Sequence, residues 1–129
     1  MSFSSSHQNE RENLHAIMFL NPGEITFPKT INKIDSSFSK SIDFSQYKSI
    51  NRIIIPSNII FIDITLICKF CDLESIFVDK DNAHYLSIDG ILYSKNIESL
   101  IYLPHETNLS IFTIPTSVTT IENFLIVTN

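Results

Sequence analysis

Cys68 and Cys71 enclose two residues, the C-x-x-C spacing that gives thiol oxidoreductases an attacking and a resolving sulfur and gives many zinc sites half of their ligands. The other half of such a site is missing: no second cysteine pair exists, and His7, His15, His84 and His105 are spread along the chain. Asp79-Lys80-Asp81-Asn82 opens like a calcium loop. An EF-hand would then need a ligand at Ala83, glycine directly after it and a glutamate six residues beyond that glycine, and none of these is present. Asn82 therefore reads as a turn residue whose short amide bonds backbone groups. His105-Glu106 has no partner histidine for an H-E-x-x-H motif, and no serine lies in a G-x-S-x-G elbow. Asn108-Leu109-Ser110 is a formal glycosylation sequon that matters only on a secretory route. These patterns predict no enzyme, no catalytic residue, no cofactor and no metal site.

Elements that could position any site must come from a chain of 129 residues, enough for one domain. Hydrophobic residues make up 43%, which supports a real core, and 23 isoleucines against two glycines favour strands. A net charge of −5, with nine Lys and Arg scattered singly, counts against a nucleic-acid partner, because no basic stripe could neutralise phosphates. The longest apolar stretch, Ile53 to Ile67, is interrupted by Pro56, Ser57, Asn58 and Asp63 and falls short of the roughly 20 residues that cross a bilayer, so membrane insertion is not expected. The opening MSFSSSHQNERENL has neither a basic start nor an apolar run of signal-peptide length, which predicts a cytoplasmic chain with reduced cysteines.

Three segments share one gapless pattern, apolar-x-apolar-Pro-x-x-apolar-x-x-apolar: ITFPKTINKI from Ile25, IIIPSNIIFI from Ile53 and FTIPTSVTTI from Phe112. A repeated unit that cannot bury its apolar face alone must stack on its neighbours, so the pattern predicts a mainly β solenoid. In each unit the three residues before proline form a short strand with the outer two side chains inward and the middle one outward. Pro28, Pro56 and Pro115, having no N–H to give, end the strands. Ile50-x-x-Ile53-x-Ile55 and Leu73-x-x-Ile76-x-Val78 set two strand entries 23 residues apart, and residues 53, 76 and 112 are expected on neighbouring parallel rungs. Residues 1–13 form a polar tail. Asn21-Pro22-Gly23 is a turn between two apolar runs and predicts an N-terminal hairpin that closes the first end of the stack, ahead of the competing reading of a short helix across Glu10 to Leu20, which Pro22 and Gly23 would stop.

The chain resembles the BspA-like, or Treponema pallidum-type, leucine-rich repeats, whose unit runs C-x-x-L-x-x-I-x-I-P-x-S-V-x-x-I-x-x-x-A-F. TIPTSVTTI at Thr113 to Ile121 matches it almost letter for letter, and CDLESIFV at Cys71 to Val78 matches with one residue missing. Phe77 to Pro104 is similar to the family's inserted module, in which Val-Asp-x-x-Asn leads to Tyr-x-Ser-x-Asp-Gly and then Leu-Tyr-Ser-Lys. Read from its own residues, that module is a hairpin of Gly90 to Ser94 and Ser99 to Leu103 around Lys95-Asn96-Ile97-Glu98. The organisation expected is thus a leucine-rich-repeat domain over 14–129, with the hairpin module at about 79–104 and an incomplete C-terminal repeat over 112–129. The first repeat is five residues longer than the second, which predicts an extra loop near Ser41 to Tyr47. The family's Ala-Phe pair is absent, with Ser37-Phe38 and Ile67 or Phe70 as stand-ins. In the family a cysteine before the strand leucine serves packing, which the resemblance extends to the C-x-x-C.

The surface left for function is the outward face of the strands, with Thr26, Ile54, Phe77 and Thr113 as its free middle positions. Ile54 and Phe77 should stand side by side about 5 Å apart as an apolar anchor. The expected function is a non-enzymatic protein-interaction module with a protein partner, of the surface and adhesion type that the resemblance implies; an intracellular scaffold fits the N-terminus equally. A thiol redox or metal-binding protein through Cys68 and Cys71 is the alternative from another class, and a truncated repeat fragment without selected activity is the third. Phe124, Leu125, Ile126 and Val127 leave the last repeat without a polar cap, so the tail either folds back over it or the chain self-associates there.

Overall fold

The computed structural model describes residues 23–39 and 49–122, which are mostly sheet with two single-turn helices. In chain order they form β1 (Glu24–Thr26), β2 (Lys33–Ile34), α1 (Ser36–Ser39), β3 (Arg52–Ile55), β4 (Phe61–Ile62), α2 (Ile64–Ile67), β5 (Ser75–Val78), β6 (Tyr85–Ile88), β7 (Ile91–Ser94), β8 (Ser99–Tyr102) and β9 (Thr120–Ile121). β1, β3 and β5 make a parallel three-stranded sheet in that order, and β2 and β4 a second parallel pair. Ile25 pairs with Ile53 and Ile53 with Ile76, so the rungs follow the 28- and 23-residue spacings of the repeat.

Pro28 and Pro56 stand just beyond β1 and β3, as expected of strand-ending residues, whereas Pro115 follows no strand. At the end of each unit the carbonyls of Pro28, Pro56 and Pro115 accept from the N–H of Ile31, Ile59 and Val118, closing the same turn three times. That turn reverses the chain and returns the next apolar residues to the core. Ile25, Ile53, Ile55, Ile59 and Ile76 are fully buried, with Phe27, Ile34 and Ile62 close behind, and all belong to one cluster. Asp35 and Asp63, each just beyond the second inward isoleucine, cap the single-turn helices: their Oδ1 atoms accept from the backbone N–H of Ser37 at 3.2 Å and of Thr65 at 3.0 Å. This repeated cap is legible in the sequence as Ile-Asp-x-Ser/Thr, at Ile34 to Ser37 and Ile62 to Thr65. Ile67 and Phe70 are both buried.

The third rung departs from the pattern after its strand. Val78 is level with Ile55, so Asp79 stands where Pro56 stood and Asn82 where Ile59 stood. The turn survives, with Asn82 N–H on the Asp79 carbonyl at 2.9 Å. Asn82 is fully buried, donates from Nδ2 to the carbonyls of Pro56 and Ile59, both at 2.9 Å, and accepts on Oδ1 from the N–H of His84 and Tyr85. Its side chain thereby bonds backbone groups of the turn, as its amide suggested, and launches the hairpin module. Asp89 and Gly90, with φ of 54° and 81°, join β6 to antiparallel β7, the two-residue turn that an Asp-Gly pair favours. A Cβ at Gly90 would lie 2.7 Å from the Ser75 Cβ, so glycine also permits the close approach to β5.

β7 then pairs antiparallel with β8, the hairpin expected around Lys95 to Glu98. Leu92 faces Tyr102 and Tyr93 faces Leu100, leaving Ile101 as an extra residue in β8. Leu92 and Tyr102 join the main core, while Ile91, Tyr93 and Leu100 form a second cluster with Phe112, Val118 and Leu109 against it. The hairpin sheet is thus a partition with a core on either side, which is why Ile91, Leu92 and Tyr93 are buried in succession.

The expectation that residue 112 would form a rung beside 53 and 76 is corrected here. Phe112 to Ile114 is not a strand. The edge it would have joined is already closed by the module: the Ile76 N–H donates to the Gly90 carbonyl at 2.9 Å and the Val78 N–H to Ser87 Oγ at 3.0 Å. The third repeat instead pairs through β9, parallel to β8, with Ser99 level with Thr120 and Leu100 with Ile121. Ile114 and Ile121, the counterparts of buried Ile55 and Ile62, are 40% and 44% exposed. The polar tail, the N-terminal hairpin up to residue 22, the extra loop near 41–47 and the apolar tail from 123 lie outside the described residues.

The burial pattern distinguishes two neighbouring positions of β5. Ile76→Asp is expected to abolish cooperative folding, because an unpaired buried carboxylate costs several kcal/mol beyond the roughly 2 kcal/mol that the isoleucine contributes. Phe77→Asp should leave the fold intact, with a stability change within about 1 kcal/mol, the size of one exposed cation–π contact. Thermal unfolding followed by circular dichroism tests both; equal behaviour would mean that the strand phase is wrong.

Candidate functional site

The outward face of the three-stranded sheet gathers three of the four residues expected at a binding surface. Thr26, Ile54 and Phe77 are level with one another across β1, β3 and β5. Glu24, Arg52 and Ser75 form a second row two residues earlier on the same face. Phe77 is 40% exposed, and Ile54 and Thr26 are half-buried beside it. Thr113 is exposed but stands outside any strand, in the stretch between β8 and β9, so it does not share this face.

Arg52 is not singled out by the sequence, yet it organises the face. Its Cζ lies 4.6 Å from the centre of the Phe77 ring, within cation–π range. The arrangement is a diagonal cross-strand contact, because Arg52 is level with Ser75 and two residues from Ile54, the partner of Phe77. Its Nε is 3.8 Å from Glu24 Oε1, longer than a hydrogen bond, and the side chain remains half exposed. Such an open ion pair contributes little to stability. The signal in the sequence is the period of two: Arg52, Ile54 and the buried Ile53 and Ile55 alternate across one strand.

The two cysteines do not converge with other ligands. Cys68 is half-buried at the end of α2 and Cys71 is exposed in the turn beyond it, and both are free thiols. Among the described residues no group of three or more His, Cys, Asp or Glu could hold a metal ion. Burial pushes the Cys68 thiol above its ordinary range, and the nearby Asp63 pushes it the same way against an opposing pull from Tyr102. Tyr102 is itself fully buried, and burial first, then Cys68, raises its hydroxyl far above the usual tyrosine range. Among the described residues that hydroxyl has no hydrogen bond of normal geometry, and the Cys68 thiol is its polar neighbour. This is the environment of a packed thiol rather than of an activated one.

Asp79, Asp81 and Asn82 likewise turn inward on themselves: Asp79 Oδ1 accepts from the Asp81 N–H at 2.8 Å, and Asn82 is consumed by backbone groups. His84 and His105 are exposed. Asn108 of the sequon is exposed, and its Nδ2 is 3.3 Å from Glu74 Oε1.

No helix among the described residues is long and apolar enough to cross a membrane. No family model matches the chain, and no curated protein matches it. Solved structures do. A leucine-rich repeat protein from Eubacterium ventriosum aligns with 76% of this chain at 30% identity and a TM-score of 0.61. The pneumococcal vaccine antigen PcpA aligns with the same share at 23% identity and a TM-score of 0.54. This chain spans only 25% and 29% of their respective lengths. The parallel rungs, the repeated turn and these likenesses together give the chain a fold of the leucine-rich-repeat type.

Proposed function

We propose that the chain is a non-enzymatic protein-interaction module, a short BspA-type leucine-rich-repeat solenoid that binds a protein partner on the sheet face of Thr26, Ile54 and Phe77. The observation that carries this reading is Phe77, a large aromatic left 40% exposed in the middle of an ordered strand, next to an aliphatic neighbour. Aromatic side chains held by a rigid scaffold and flanked by partly covered neighbours are the usual anchors of protein interfaces. Thr113 is left out of this surface. An adhesion or surface role is supported by the residue-level resemblance and by the likeness to a protein described as a vaccine antigen. The chain used as bait against candidate host and matrix proteins should retain partners that Phe77→Asp releases while its circular dichroism stays unchanged. Equal retention by both would remove the face from the mechanism.

A second surface supports self-association. Ile111 is 85% exposed, and with Ile114 and Ile121 it places three isoleucines in solvent around the third repeat. Light scattering should give a mass above that of a monomer for the wild type, and a monomer's mass for Ile111→Ser combined with Ile121→Ser. A monomeric wild type would reject this contact.

The redox alternative makes an opposite demand on Cys68. Because burial raises its pKa, less thiolate is present at any given pH, and Cys68 should react with an aromatic disulfide reagent more slowly than exposed Cys71 at mildly alkaline pH. Unfolding in guanidinium should equalise the two. Fast labelling of Cys68 at neutral pH, or retention of zinc through dialysis, would favour a thiol or metal function instead.

A further inference from the structure

The two charged side chains of the proposed binding face, Glu24 and Arg52, differ in exposure, at 24% and 49%, so a partner meets the cation first. Arg11 and Arg52 are the two arginines of the chain. Arg52, the one among the described residues, sits on the central strand of the sheet at the middle of the exposed face. The contact with Phe77, at 4.6 Å from guanidinium carbon to ring centre, restrains the side chain while leaving it half exposed, which removes part of the entropy that a binding arginine otherwise loses. Of its five N–H donors one, on Nε, faces an acid, and at 3.8 Å it makes no full hydrogen bond. The terminal nitrogens have no protein partner among the described residues. A guanidinium resting against a ring, with its terminal nitrogens unpaired among the described residues, can receive a carboxylate through two parallel bonds. Glu24, on the outer strand, offsets part of this charge, but its side chain is about half as exposed as that of Arg52, so the cation is the more accessible of the two.

Apolar ground flanks this cation. Phe77 lies under it, and Ile54 and Thr26 continue the row on the neighbouring strands. The edge beyond β5, next to Phe77, is closed by Gly90 and Ser87, so an incoming chain cannot extend the sheet at that edge through backbone pairing.

We infer that the face recognises an acidic peptide segment of its partner, with a carboxylate held by Arg52 and an adjacent apolar side chain resting on Ile54 and Phe77. The inference rests on the proposed protein-interaction role and names the chemistry of that partner. A random dodecapeptide library displayed on phage and selected on the full chain provides the probe, and recovered peptides are synthesised together with amide counterparts in which Asp and Glu become Asn and Gln. The expected peptides carry Asp or Glu beside Leu, Ile or Phe. They lose about tenfold in affinity or more on Arg52→Gln, on amidation and on Phe77→Ser, bind more weakly as salt rises, and are only partly restored by Arg52→Lys, which lacks the fork. Circular dichroism confirms that each variant is folded. Recovered peptides without acidic enrichment that respond to Phe77→Ser but not to Arg52→Gln would overturn the acidic partner and leave the face standing. Peptides indifferent to both substitutions would overturn the face as well, and failure to recover any peptide counts against both. A dimer of the isolated chain that Arg52→Gln dissociates would make a second copy the occupant and overturn the inference.

Discussion

Asn82 holds the point on which the rest of the structure turns. In a stack of isoleucine rungs it occupies an isoleucine's place, fully buried, and an amide there is tolerable only if all of its polar atoms are engaged. They are: two donors go to the carbonyls of Pro56 and Ile59 in the rung before it, and one acceptor takes the N–H of His84 and of Tyr85 in the segment after it. A residue that merely filled the space would let the third turn continue as the second did. The amide instead ties the finished rung to the start of β6, and the chain leaves the repeat at that residue. Each of these bonds is worth about 1 kcal/mol net, but leaving one buried partner unmade costs about 1–3 kcal/mol, so the network works as a unit.

Leaving the repeat at Asn82 changes the strand partners and keeps the rules of the unit. The third repeat retains its proline turn and its outer strand, and β9 begins five residues after Pro115 just as β2 and β4 begin five after Pro28 and Pro56. β4 had β2 to pair with; β9 finds β8, because the hairpin sheet now stands where the next rung would be. Tyr85 joins the two parts a second time, its hydroxyl accepting from the Ile62 N–H at 3.0 Å and its ring packing on the main core. The partition formed by β7 lets one strand serve two cores, and this explains how a chain with only three repeats still buries Tyr93 and Tyr102 almost completely.

Much of this is legible in the residues alone. The gapless repeat locates β1, β3, their proline turns and the outer isoleucines, since periodicity reports burial directly and these residues have no other reason to recur. The β7–β8 hairpin is legible from turn residues between two β-rich runs. β6 escapes the pattern, although Asp89-Gly90 is the strongest short hairpin signal in the chain; the repeat draws attention to the strands on one side of that turn only. The failure at 112–114 has a different origin. Nothing in FTIP distinguishes it from ITFP or IIIP, and whether those residues become a strand depends on an edge that a segment more than twenty residues earlier has already closed. Arg52 is hidden because a single exposed charge on a strand is ordinary in sequence. Its stack on Phe77 requires the 23-residue register to be known first.

Closing that edge also bears on function. An open parallel sheet can recruit a strand from any chain through its unpaired backbone, with little selectivity and a risk of aggregation. Here the outward N–H groups of β5 are spent on Gly90 and Ser87 within the same chain, so backbone pairing at that end is no longer on offer. Under the proposed role, a partner that meets this face is told apart by its side chains: the ring of Phe77, the guanidinium beside it and the aliphatic Ile54 alongside. The insertion that interrupts the repeat therefore does more than terminate a ladder, because it removes the β5 edge as a place where another chain could bind by adding a strand.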